Sequence, residues 1–403
     1  MTADRRTVVP TDRLMQPIAQ FSFGMRAGDI VRIGATAGTD AARRLVGDSP
    51  GLVDVSAQTV RMLENFEISL QLLGAGVADI VHLRTWLTDW RDRARYEAAV
   101  RQQWPGLAVC HGIVGSAGFP IPQAAVEAEL LAIVGGARSV LEVPRLGDAP
   151  AGGANAGIRA GAHHFCSVGP SDASLLSHPA TQAHGCLDRL EIALAAAGLG
   201  LRDVVMLGVN TTDVRLLPVF DRACTERLRA PYPARTVTGT SLPDPRWLFS
   251  LDAIAIAGGG TPVGSEASAA GAPASAAMLS GDELFIGGVV GSAAGTGRPE
   301  SVQDQTHVAW RRIEELLGAV GMTSKDVLHT TNTLTDWRAY QEFNAAYGAH
   351  VSAPYPPRAT VVAALADESA RVMIEVHAHR GARAGRFIAY AAAPSAAAVQ
   401  TAS

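Results

Sequence analysis

The chain has 403 residues, 48% of them hydrophobic and 18% charged, with a formal net charge of −4. That length suits two to four domains, and the small negative charge excludes a general pull toward nucleic acid or anionic lipid. No apolar run reaches the ~18 residues a membrane span needs, the opening MTADRRTVVPTDR has no apolar signal core, and Cys110, Cys166, Cys186 and Cys224 have neither zinc-site nor disulfide-scaffold spacing, so a reduced cytoplasmic setting is expected.

In chain order, the first clear helical pattern covers Val55–Leu73, and a strand follows in Val81–Asp89, VHLRTWLTD. A second helix over Thr181–Ala197 leads to Val205–Asp213, VMLGVNTTD. The third set is the clearest. Glu283–Val290 is an apolar strand, Val302–Val320 a helix stopped by Gly321, and Val327–Leu334 a Thr-rich strand. Asp336 caps a helix running through Tyr340, Phe343 and Tyr347, and Ala359–Leu365 and Arg371–Ala378 are two more strands.

The three sets are one repeat. Asp89, Asp213 and Asp336 close it at a nearly constant step, which Asp79, Asp203 and Asp326, and Gln58, Gln182 and Gln305, also keep. Glu129, Asp252 and Glu375 recur in a late apolar strand. The expected division is unit 1 over 14–135, a linker over 136–160, unit 2 over 161–257, a linker over 258–277, unit 3 over 278–380 and a tail over 381–403, in which Phe387–Ala392 is a candidate edge strand. The linkers are read from Gly-, Ala-, Pro- and Ser-rich composition. Each unit reads as β–α–β–α–β–β, a sheet with two helices on one face, so the free sheet faces must bury against one another. The expected class is α+β, with three tandem units whose sheets form a closed pseudo-trimeric barrel with the helices outside.

The ordered set of a glycine-containing strand, the helix glutamine, the Ala-Gly and Asp-Val steps, Thr-Asp, Tyr-Pro-x-Arg and a late acidic strand resembles the RidA/YjgF family, historically called endoribonuclease L-PSP. The resemblance covers Phe21–Val134, His164–Ile256 and Leu279–His379. It implies chorismate-mutase-like units, otherwise assembled as homotrimers with a ligand cleft at each boundary. A fused triple would then be a pseudo-trimer with three unequal clefts, either alone or paired as a dimer.

The resemblance also implies site residues. An arginine behind Tyr-Pro grips a substrate carboxylate, which guanidinium does with two parallel hydrogen bonds. Here it is Arg235, after Tyr232, and Arg358, after Tyr355. Unit 1 has His111 at that place, beside Cys110; adjacent strand residues face opposite ways, which disfavours a Cys–His pair. The family glutamate that polarises water is matched by Glu127 alone, Ser250 and Met373 standing elsewhere, so no single unit holds both groups. Gly34, Gly287 and Gly288 match the glycine strand that offers backbone to ligand, a bulge in a curved strand being the equal alternative, and Phe21 matches an aromatic cover. The strand acids read as structural, each needing a buried partner.

The histidines have no clustered ligand spacing, although His377 and His379 share a strand face, and no nucleotide-binding glycine loop stands in the right context. No metal and no cofactor is therefore expected. The leading expectation is an enzyme that hydrolyses or tautomerises a carboxylated imine or enamine. A chorismatase-like hydrolase and a non-catalytic carboxylate-binding protein are the alternatives. The expected partner is a small-molecule carboxylate, with neither nucleic acid nor membrane.

Overall fold

The computed structural model describes residues 5–49, 52–142, 155–170, 178–264, 272–292 and 301–390. The first part contains β1 (Thr7–Thr11), β2 (Gly24–Ala27), β3 (Ile30–Ala37), β4 (Asp48–Ser49), β5 (Leu52–Val53), α1 (Val55–Leu72), β6 (Ile80–Leu87), α2 (Arg93–Gln103), β7 (Cys110–Gly115) and β8 (Val126–Ile133). The second contains β9 (Arg138–Glu142), β10 (Asn155–Ala160), β11 (His163–Val168), α3 (Pro179–Ala196), β12 (Val204–Thr211), α4 (Leu217–Arg227), β13 (Ala234–Gly239) and β14 (Phe249–Ile256). The third contains β15 (Thr261–Val263), β16 (Ala277–Ser280), β17 (Glu283–Val290), α5 (Val302–Ala319), β18 (Val327–Leu334), α6 (Tyr340–Tyr347), β19 (Arg358–Val362) and β20 (Val372–His379), with β21 (Arg386–Tyr390) after it.

The repeated residues do the same local work three times. Asp79, Asp203 and Asp326 each accept a hydrogen bond from the backbone N–H three residues earlier, at 2.8, 2.8 and 2.7 Å, and so fix the turn into β6, β12 and β18. Asp89, Asp213 and Asp336 each accept from the N–H two residues on and begin the turn into α2, α4 and α6. The helix glutamines reach across to the loop before the last strand. Gln58 donates to Gln123 O and accepts from Ala125 N, Gln182 pairs likewise with Arg246 and Leu248, and Gln305 with Ser369 and Arg371. Gly74, Gly198 and Gly321 end α1, α3 and α5 with φ of +70°, +73° and +72°, which glycine adopts without strain.

Each unit has a mainly antiparallel sheet that finishes on a parallel pair, β6-β7, β12-β13 or β18-β19, and the first sheet has a second parallel pair, β1-β21. The strand orders are β1-β21-β2-β3-β8-β6-β7, β13-β12-β14-β11-β10-β9 and β15-β16-β17-β20-β18-β19. One apolar core per unit lies between the sheet and its two long helices, centred on Phe66, on Leu187 with Phe220, and on Trp310 with Phe343. The other sheet faces meet between units. Trp86, Val114, Leu242, Trp247 and Val361, drawn from all three, share one cluster. β7 packs on β11, β13 on β17, and β19 on β3. The sheets remain separate and none closes into a barrel; at the boundaries the chains meet through side chains and isolated backbone bonds such as Gly115 N to Ser241 O and Gly239 N to Ala364 O.

Three expectations change. The first expected linker carries β9 and β10, whose alternation buries Val140 and Leu141 in different clusters, a period that Gly and Ala obscure in sequence. The second carries β15, paired with β16. The tail strand is not an edge strand. β21 lies between β1 and β2 in the sheet of unit 1, with Phe387 and Ile388 buried, so the last strand closes onto the first unit. Residues 143–154, 265–271 and 391–403, the middle of both expected linkers and the end of the tail, lie outside the described residues. No helix among the described residues is long and apolar enough to cross a membrane.

Candidate functional site

At the boundary of units 1 and 3, a narrow cleft with a cavity volume of about 40 Å³ is lined by Glu127 and Arg358 together. β8 supplies Glu127, opposite Ala37 and Trp86 in register, and β19 begins with Arg358. The two groups missing from any one unit thus meet from different units.

The Arg358 side chain is 4% exposed and boxed by aromatics, its guanidinium 4.6 Å from the Tyr347 ring centre, 5.6 Å from Phe343 and 5.9 Å from Phe21. Nη2 donates to Asn344 Oδ1 and, at 3.4 Å, to the Tyr340 hydroxyl, while Nη1 is buried with no hydrogen-bond partner. Tyr340, Phe343, Asn344 and Tyr347 come from one face of α6. Their helical stripe was visible in sequence, but its service to an arginine in the following strand was not. Glu127 is 3% exposed, and burial alone pushes its carboxyl up to about 8. At neutral pH it is mostly protonated.

Phe21 lines the cleft, edge-on to Phe23 with ring centres 5.7 Å apart. Leu14, Met15, Ile18, Pro120 and Ile121 add an apolar wall, and Thr36, Thr39, Asn65 and Thr360 add polar groups that sequence reading missed. Gly34 has a different task from the one expected. A Cβ there would stand 2.6 Å from Arg358 O and 2.7 Å from its N, so the glycine admits the neighbouring unit's backbone. Gly287 does the same for Arg235, at 2.5 and 2.7 Å, and Gly288 leaves room for the Met373 sulfur. Tyr232 and Tyr355 pack on the cores of their own units rather than lining this cleft.

The other two boundaries hold different groups. Arg235 is ion-paired with Asp221 of its own unit at 2.6 Å, and the acid position facing it is Met373. His111 is held by Thr85 Oγ1 at 3.1 Å and the Tyr96 hydroxyl at 2.9 Å, and desolvation, with His82 and Arg93 nearby, pulls it down to about 3. The Trp247 ring covers Gly169 there. The buried Cys110 thiol is pushed well above its usual value by desolvation, with Cys166 and Asp252 adding to it, which disfavours the thiolate a nucleophile needs.

Glu129 and Glu375 converge near the centre on Arg84, at 3.8 and 3.7 Å, and Asp252 adds to their field there. Asp252 accepts from Ser167 Oγ at 2.5 Å and Asn210 Nδ2 at 3.1 Å. His163 and His377 both bind Glu283, at 2.6 and 2.9 Å. Among the described residues no group of His, Cys, Asp and Glu is placed to hold a metal ion.

A family model described as Endoribonuclease L-PSP matches residues 11–134 and 264–380, the first and third units. Reactive Intermediate Deaminase A from the chloroplast of Arabidopsis thaliana is 34% identical over 112 residues, 27% of this chain; the chain spans 60% of that protein's length. The mitochondrial protein mmf2 of Schizosaccharomyces pombe is 26% identical over 117 residues, 28% of this chain and 93% of that protein. Among solved structures, RidA from an Antarctic Psychrobacter is 30% identical and covers 30% of this chain and 98% of its own, with a TM-score of 0.27.

Proposed function

The chain belongs to the endoribonuclease L-PSP family, of RidA/YjgF type, in tandem copies, and on that premise we propose that the cleft between units 1 and 3 hydrolyses an imine or enamine carrying a carboxylate. The observation that carries this reading is the meeting of Glu127 and Arg358 in one cleft. Arg358, with Nη1 unpartnered, takes the substrate carboxylate. Protonated Glu127 gives its proton to the imine nitrogen as water adds to the C=N carbon, and its carboxylate takes the proton that the water releases. Collapse of the carbinolamine breaks the C–N bond and frees ammonia and a 2-oxo acid.

In the same proposal units 14–135, 161–257 and 278–380 stand around a common axis as a closed pseudo-trimer, supported by the cyclic packing of β7 on β11, β13 on β17 and β19 on β3. Among the described residues, one of its three clefts joins the acid to an arginine with an unpaired nitrogen. The Arg235–Asp221 pair and Met373 occupy the second, and the bonded His111 with Trp247 the third.

The test is to generate 2-iminopropionate and larger imino acids in situ and follow 2-oxo acid release against the uncatalysed rate. Acceleration by wild type and its loss in Glu127→Gln are expected. Ligand binding without acceleration for any of them leaves the cleft a carboxylate-binding site and overturns the enzymatic reading.

A further inference from the structure

The cleft holds a second unpartnered polar atom. Asn65, on α1, is 3% exposed and lines the cleft with Glu127 and Arg358. Its Nδ2 donates to Ala37 O at 3.2 Å and Thr39 O at 3.0 Å, which fixes the amide orientation. Oδ1 is thereby turned away from those carbonyls and is buried without a hydrogen bond. A buried amide oxygen in that state costs free energy that only a donor recovers.

The position differs across the repeat in an informative way. Counted from the helix glutamines, Asn65 corresponds to Arg189 and Arg312. Arg189 Nη1 donates to Pro170 O at 3.3 Å, and Arg312 Nη1 to Val290 O. All three side chains therefore tie the helix to the glycine strand, but only asparagine brings a side-chain acceptor to this position. That acceptor occurs in the boundary that also has Glu127 and the arginine whose Nη1 has no hydrogen bond.

We propose that Asn65 Oδ1 accepts a hydrogen bond from an N–H on the α-nitrogen of the ligand, so that the cleft selects carboxylates with a primary nitrogen beside them and disfavours the corresponding 2-oxo acids. This rests on the assignment of the ligand carboxylate to Arg358. The polarity suits turnover. A substrate imine or enamine presents N–H to the amide oxygen, whereas the product presents a carbonyl oxygen, and two acceptors facing each other favour release.

The test is binding without turnover, by calorimetry on the full chain with L-alanine and pyruvate, which share a carbon skeleton. Alanine is expected to bind about tenfold tighter than pyruvate, the worth of one good hydrogen bond. Asn65→Arg retains the tie to the strand, as Arg312 does, and is expected to abolish the preference while melting near wild type. Asn65→Asp keeps the acceptor and is expected to retain or sharpen it, which covers the case in which Asn65→Arg does not fold. Equal binding of the two ligands to wild type, or a preference unchanged in Asn65→Arg, overturns the role of Asn65 while leaving the cleft intact. Binding of neither ligand overturns the carboxylate assignment itself.

Discussion

Arg84 of unit 1 stands 3.7 Å from Glu375 of unit 3 and reaches Glu129 of its own unit at 3.8 Å with the same nitrogen. Its counterparts in the repeat are Gly208 and Thr331. A Cβ at Gly208 would lie 3.8 Å from Arg84 Nη2, an ordinary contact, and the buried Arg32 adds a second positive field on Glu129 and Glu375. Burial pulls the Arg84 pKa down, but Glu375, Glu129 and Asp252 outweigh it and leave it raised. Removing the cation strands buried carboxylates. Arg84→Met should cost about 3–5 kcal/mol at pH 7 and less near pH 5, where Glu129, its carboxyl pushed up by burial, can take up a proton. Denaturant midpoints at both pH values check this, and an unchanged midpoint at pH 7 would show that the acids do not depend on Arg84.

Much of this scaffold is legible in the chain, because Gln58, Asp79, Asp89 and their counterparts make local bonds that repeat with the sequence. The cleft is not. Glu127 and Arg358 lie in different units, and nothing in either strand says which boundary joins them. The glycine strands left ligand approach and a strand bulge equally open, and the register does shift between Ile33 and Thr36 and between Ile286 and Val289. Gly34 signals a close approach, but sequence cannot tell whether ligand or neighbouring backbone approaches. β21 escaped as well, since Phe387 and Ile388 look like an outer edge until β1 and β2 are seen on either side.

Glu127 should leave two signatures. Its folded pKa of about 8 lies above the usual carboxylate value of 4.5, so the folded state favours the proton. The stability this brings is fully present below the unfolded pKa and is lost as pH rises through the folded one. Glu127→Gln should therefore be more stable than wild type at pH 9, by on the order of 4 kcal/mol, with the gap closing toward pH 5. Its rate of imine hydrolysis should fall by roughly 10²-fold or more, and the wild-type rate should decline above about pH 8 as the proton donor is lost. Thermal melts and pH–rate profiles of both proteins provide the readout.

The two family-type arginines should separate. Arg358→Ala removes the proposed carboxylate anchor and is expected to raise KM for imino acid by at least tenfold. Arg235 is already satisfied by Asp221. Arg235→Ala should leave the rate within about twofold and lower stability by about 1–3 kcal/mol, through the aspartate left in a partly buried site. Equal loss of activity in both variants would mean that the second boundary also works.

The boundary glycines make a matched pair for the same question. Alanine at Gly34 would drive its methyl to 2.6 Å from Arg358 O, and alanine at Gly287 to 2.5 Å from Arg235 O. Neither backbone can yield without moving a strand, so each variant should lose about 1–3 kcal/mol. Their effects on activity should differ, because only the first displaces the arginine that shares a cleft with Glu127. Gly34→Ala is expected to lose activity at temperatures where it remains folded, since a shift of about 1 Å at a positioning group can cost 10²-fold. Gly287→Ala should retain its rate. Matching the two variants by melting temperature before assaying them separates displacement of the site from loss of fold, and a slow Gly287→Ala beside an unimpaired Gly34→Ala would move the active boundary to units 2 and 3.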